Sequence, residues 1–136
     1  MTNAFQNQTA LAGRILLSLL FIISGFGKIG GFAGTVGYIA SAGLPVPQVV
    51  AALTILIELG GGLLILFGFY TRWVALVLAA FTLLAAFIFH GYWSAPDAAR
   101  MGQYLNFWKN LTISGGFLVL AAFGPGSISL DAKRGR

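Results

Sequence analysis

The chain has 136 residues, 58% of them hydrophobic and 8% charged, with a formal net charge of +5 and a mean hydropathy of +0.90. A soluble domain carries roughly 25% charged residues, so this chain cannot clothe a water-facing surface and reads as a single domain dissolved in lipid. It has no cysteine, which excludes disulfides, iron–sulfur ligation and c-type haem attachment, and its cations are not gathered on one helix or arm, which argues against nucleic acid.

The first stretch, "MTNAFQNQTALAG", lacks the positive n-region of a secretory signal. The apolar run behind it, about residues 9–27, is predicted as a retained membrane span, since a span needs about 20 apolar residues. Arg14 lies inside it and Lys28 closes its outer end. In "KIGGFAGTVGYIASAGLPVP" the residues Ile29, Phe32, Val36 and Ile39 recur at helical spacing, predicting a short amphipathic helix at the interface. "GLPVP" ends it. The second span, about 49–69, holds Glu58 followed directly by Gly60, Gly61 and Gly62. "YTR" alone links it to the third, about 73–91, which requires an antiparallel hairpin and ends at His90. "YWSAPDAARMGQY" is a polar, aromatic loop. The fourth span, about 106–124, begins between Tyr104 and Lys109, and Pro125 with Gly126 stops it. The fold class is therefore all-α: an integral membrane four-helix bundle with a short amphipathic helix between spans one and two.

Four spans put both termini on one side. That side collects Arg14, Arg72, Lys133, Arg134 and Arg136, and the other Lys28, Arg100 and Lys109, so the positive-inside rule places both termini in the cytoplasm. The tail "KRGR" reads as part of this topology signal. Tyr92, Trp93, Tyr104 and Trp108 flank the outer ends of spans three and four, and Tyr70 and Trp73 the inner turn, as an aromatic belt would.

Glu58 is the residue that demands an explanation. A charge at the centre of a span costs about 2.5–3.5 kcal/mol on insertion scales, so it faces the bundle interior, finds a partner or takes up a proton. At about 1.5 Å per residue, Glu58 sits roughly 13 Å below the outer end of its span. It lies between Arg14 on the cytoplasmic side and an outer polar ring of Lys28, His90, Lys109 and Asn110. The long cations either snorkel to headgroups or reach toward Glu58. His90 is either an interfacial hydrogen-bonder or a proton carrier. The nearby glycines allow close helix packing or leave room for a flat apolar molecule. One His and one central Glu make a poor metal site, and there is no phosphate-binding motif on a strand–helix turn.

The ordered segments "SGFGKIGGFAGTVGYIASAGLPVP", "IELGGGLLILFGFYTR", "FHGYW", "NFWKN" and "GPGSISLD" resemble the DoxX family of small four-helix membrane proteins, over about Ala10 to Asp131. The resemblance implies a bacterial inner-membrane location, a redox connection and a quinone or similar apolar molecule as ligand. Carried over by position, the recurring polar set falls on Arg14, Lys28, Glu58, His90, Lys109 and Asn110. The expected function is a redox-associated membrane subunit. Glu58 and His90 are its acid–base groups, and Arg14, Lys28, Lys109 and Asn110 hold the ligand. The rivals are a non-enzymatic scaffold for an oxidoreductase partner and, with less room for alternating access, a small proton-coupled carrier; either role admits a homo-oligomer.

Overall fold

The structure, a computed structural model, describes residues 3–135. It is helical throughout, with no strand among the described residues. Helix α1 (Ala4–Gly30) starts at a capping box. The Asn3 side-chain oxygen accepts the Gln6 N–H at 2.8 Å, and the Gln6 side chain accepts the Asn3 N–H at 3.1 Å. Gly31 leaves helical geometry and α2 (Phe32–Ser41) turns away; Ile39 is its one buried residue. This is the short helix that the spacing of Ile29, Phe32, Val36 and Ile39 predicts, except that Ile29 belongs to the end of α1.

Val46, in a left-handed conformation (φ 46°), turns the chain into α3, with Pro47 at its first position (Pro47–Ile55). A single π-helical turn, Leu56–Gly60, joins α3 to α4 (Gly61–Phe67) as one rod. After a tight turn at Gly68–Tyr70 come α5 (Thr71–Phe89), a 3-10 turn (Tyr92–Ser94), α6 (Asp97–Phe123) and the terminal α7 (Leu130–Lys133).

Three stretches, Ala4–Gly30, Pro47–Phe67 and Thr71–Ser94, are long and apolar enough to cross a membrane. Helix α6 has the same length as α1, 27 residues, but is not one of these three; its middle carries Asn106, Lys109 and Asn110. It also begins at Asp97, well before the apolar window that marks it in the sequence. Polarity bars a residue from hydrocarbon, not from a helix. Pro96 sits at the entry, and Arg100 pairs with Asp97 at 2.7 Å across one turn.

Packing is inverted relative to a soluble bundle. Leu16, Ile23, Phe26, Leu56, Leu84, Leu105 and Val119 are each more than half exposed, far more apolar surface than a water-soluble monomer tolerates. The interior is built largely of small residues: Ser18, Ala51, Ala75, Ala79, Ala86 and Ser114 are buried, which is how membrane helices approach closely. A few large side chains, Phe21, Ile65, Leu78 and Phe117, fill the centre. Phe21 of α1 meets Phe117 of α6 edge-on at 5.3 Å. Ser114 of α6 donates to the Ala79 carbonyl of α5 at 3.1 Å and to its own Asn110 carbonyl at 2.9 Å.

The segment after α6 folds back under the bundle. Gly68 adopts φ +67°, and a β-carbon there would lie 2.5 Å from Ser129 and 2.9 Å from Arg14, so the turn needs glycine. The Asp131 carboxylate accepts the Tyr70 and Thr71 N–H groups at 2.8 Å each, capping the start of α5. Arg134 lies over the Phe69 and Tyr70 rings at 4.7 Å. Burial pushes the Asp131 carboxyl up, but the Thr71 and Tyr70 hydrogen bonds and the Arg134 charge outweigh it, and the group titrates below the ordinary aspartate value.

Candidate functional site

Glu58 occupies the third position of the π turn, 8% exposed. A π turn inserts one residue into the helical ladder and re-aims the side chains around it, and such turns recur at functional sites. Gly25 of α1 makes the close approach here: a β-carbon on it would lie 2.7 Å from the Leu59 backbone nitrogen. Gly62 does the same one turn on, where a β-carbon would lie 2.9 Å from Ile22. The glycines of "SGFG" and "GGG" therefore bring α1 against the turn that carries the carboxylate.

Across that contact Lys28 reaches the acid. Its Nζ donates to Glu58 Oε2 at 2.9 Å, to Glu58 Oε1 at 3.2 Å and to Ser24 Oγ at 2.6 Å. Lys28 thus turns inward to Glu58 instead of snorkelling to headgroups. Two opposite charges out of water are each costly, and their mutual attraction with a third hydrogen bond to Ser24 offsets that cost. Ser24 lies one helical turn before Lys28, so the ammonium is held from its own helix as well as from its partner.

The pair opens on a cleft of about 330 Å³ lined by α1, α2, the α3–α4 rod, α5 and α6. Phe21, Ile39, Phe81, Phe89 and Ile113 supply apolar walls; Lys28, Glu58, His90, Asn106, Lys109 and Asn110 supply polar ones. The volume is at the low end of small-molecule sites. On α5 the Thr82 hydroxyl, on a residue 4% exposed, is buried without a hydrogen-bond partner while the residue lines this cavity. A buried hydroxyl left unpaired costs free energy that a ligand oxygen would recover. Tyr38 of α2 stacks on Phe89 (5.4 Å), and both rings line the cavity.

His90 ends α5, with Nδ1 2.7 Å from Gln103 Oε1 of α6. With that oxygen accepting, Nδ1 carries a proton in this contact. Five of the six polar residues singled out in the sequence, Lys28, Glu58, His90, Lys109 and Asn110, line this one cavity. Arg14 does not. It is 2% exposed and spends its guanidinium on carbonyls at the opposite end: Nη1 donates to Pro125 and Ile128 at 2.8 Å each and Nη2 to Leu66 at 3.0 Å. It is a clamp between α1, α4 and the C-terminal segment. Sequence reasoning missed Ser24, Thr82 and Gln103. Ser24 could have been found as the hydroxyl four residues before Lys28 on one helix face; Thr82 and Gln103 carry no comparable signal. Among the described residues no cluster of three or more His, Cys, Asp or Glu could hold a metal ion.

Comparison with known proteins agrees with the membrane architecture. The DoxX family model matches residues 9–91. The inner membrane protein YqjF of Escherichia coli (strain K12) is 54% identical over 121 residues, covering 89% of this chain and 88% of that protein. The inner membrane protein YphA of the same organism is 46% identical over 123 residues, covering 90% and 88%. A Bacillus subtilis (strain 168) protein named "Putative oxidoreductase CatD" is 40% identical over 90 residues, covering 65% and 63%. No solved structure shows a significant match. The inward-turned ion pair, the greasy exterior and these relatives lead to one conclusion: the chain belongs to the DoxX family and is a bacterial inner-membrane protein.

Proposed function

We propose that this protein is a redox-associated membrane subunit whose cavity binds a quinone or similar apolar ring bearing oxygens. The single observation that supports it is the unpartnered Thr82 hydroxyl in a cavity that joins apolar walls to the Lys28–Glu58 pair. A bound quinone would supply two-electron, two-proton chemistry. The chain supplies what surrounds it. Lys28 donates hydrogen bonds, Glu58 takes and returns a proton beside it, His90 Nε2 relays a proton toward the outer face, and Lys109 and Asn110 hold ligand oxygens. Excluding water strengthens each of these interactions. Electrons come from an oxidoreductase partner; the name of the relative "Putative oxidoreductase CatD" supports a redox role in general.

The same reading has α6 as a fourth span, both termini in the cytoplasm and the His90 end outside. Helix α6 packs its Ser114 and Phe117 into the interior like the other three long segments. The test is binding of 1,4-naphthoquinone to the purified protein in lipid nanodiscs. Ala85→Phe, which fills the cavity from α5, abolishes saturable binding. Glu58→Gln retains binding but loses redox-linked proton uptake when the partner supplies electrons. Unchanged binding in Ala85→Phe would refute the assignment.

A further inference from the structure

We propose that the cavity takes its ligand as a monoanion, a ring molecule with one acidic oxygen held by Lys109. This rests on the reading above and adds the ligand's charge. The titratable groups facing the cavity are Lys28, Tyr38, Glu58, His90 and Lys109. Lys28 and Glu58 neutralise each other at 2.9 Å. His90 engages Gln103, and the Tyr38 hydroxyl donates to the Phe89 carbonyl at 3.4 Å. Lys109, exposed at the cavity rim, has no hydrogen bond or ion pair with any described residue.

No acid of the chain is left to balance it. The sequence has three acids: Glu58 is paired with Lys28, Asp97 with Arg100, and Asp131 caps α5 at the opposite end of the fold. Lys109 is therefore the one cation lining the cavity with no acid beside it among the described residues. Thr82, buried and unpartnered on α5, offers a second, neutral hydrogen bond to the same ligand. A small apolar cavity with one spare cation and one spare hydroxyl matches a ring carrying one ionised and one neutral oxygen, such as a phenolate or a hydroxyquinone anion. A neutral ring would leave Lys109 unpaired.

The test uses a matched pair in nanodiscs of zwitterionic lipid: 2-hydroxy-1,4-naphthoquinone, ionised at neutral pH, and 1,4-naphthoquinone, of the same shape without the acidic oxygen. Partition into empty discs is subtracted. The wild-type protein is expected to bind the anion about tenfold or more tightly than the neutral ring, as a charge-assisted hydrogen bond would give. Lys109→Gln brings the ratio of affinities to about one, and Lys109→Arg keeps it. A wild-type ratio near one, or a preference that survives Lys109→Gln, overturns the inference while leaving the cavity as a quinone site. If neither compound binds, the site reading falls with it.

Discussion

Replacing Arg14 by Met removes three hydrogen bonds, two tying α1 to the segment after α6 and one tying it to α4. Each comes from a charged donor, at 2.8 to 3.0 Å, and such bonds contribute about 1.5–3 kcal/mol apiece, for a gross loss of about 5–9 kcal/mol. Two effects reduce it. The guanidinium is 2% exposed and its Nε is unpartnered, so its burial already carries a desolvation cost that Met avoids. The carbonyls of Pro125 and Ile128 also lie beyond the end of α6, where water can reach them once the segment loosens. The expected net loss is about 2–4 kcal/mol, or about 30-fold to nearly 1,000-fold in the folded-to-unfolded ratio. Reversible unfolding in mixed micelles, followed by tryptophan fluorescence, measures it. Arg14→Lys keeps the charge but not the planar fork, and recovers less than half of the loss. A Met variant within about 0.5 kcal/mol of wild type, the range of ordinary surface changes, would refute the clamp, as would complete rescue by Lys.

Gly25→Ala places a methyl 2.7 Å from the Leu59 nitrogen; overpacking of this kind costs about 1–3 kcal/mol, and the same micelle titration detects it, whereas Gly27→Ala, with open space around it, is close to neutral. The Asp131 carboxyl is held below its usual range, so its stabilising contribution is complete above the unfolded value of about 4 and is lost as pH falls through the lower folded value. Thermal stability scanned from pH 7 downward should show that loss in wild type and lack it in Asp131→Asn. Because the chain has no cysteine, single cysteines at Ser127 and Trp93 report topology: a membrane-impermeant maleimide applied to intact spheroplasts should label the second and spare the first.

The membrane character and most of the cavity were legible in the sequence because each rested on a local anomaly. Glu58 is an acid in an apolar run, and Lys28, His90, Lys109 and Asn110 are the polar residues that helix geometry puts in one ring at the span ends nearest it. Arg14 satisfied the same logic and was assigned to the ligand set. Its true partners are backbone carbonyls more than fifty residues away, and carbonyls leave no mark in a sequence. The π turn was equally silent, as was the close approach of Gly25 to the Leu59 backbone beside it. Hydropathy located α6 but misjudged its start, because the window that senses hydrocarbon ignores the polar helical turns from Asp97 to Gln103. Asp131, which in the sequence only closes the segment "GPGSISLD", is a cap because the chain after α6 folds back onto Gly68 and Tyr70.

Photolabelling with an azido-naphthoquinone in native membranes, followed by peptide mapping, tests most directly whether the cavity beside the Lys28–Glu58 pair is a ligand site. The adducts should fall on the cavity-lining parts of α1, α5 and α6, around Ser24, Phe81 and Asn110, and be competed away by unlabelled ligand. Adducts confined to outward-facing residues such as Ile23, Leu84 and Val119, insensitive to competitor, would contradict the account.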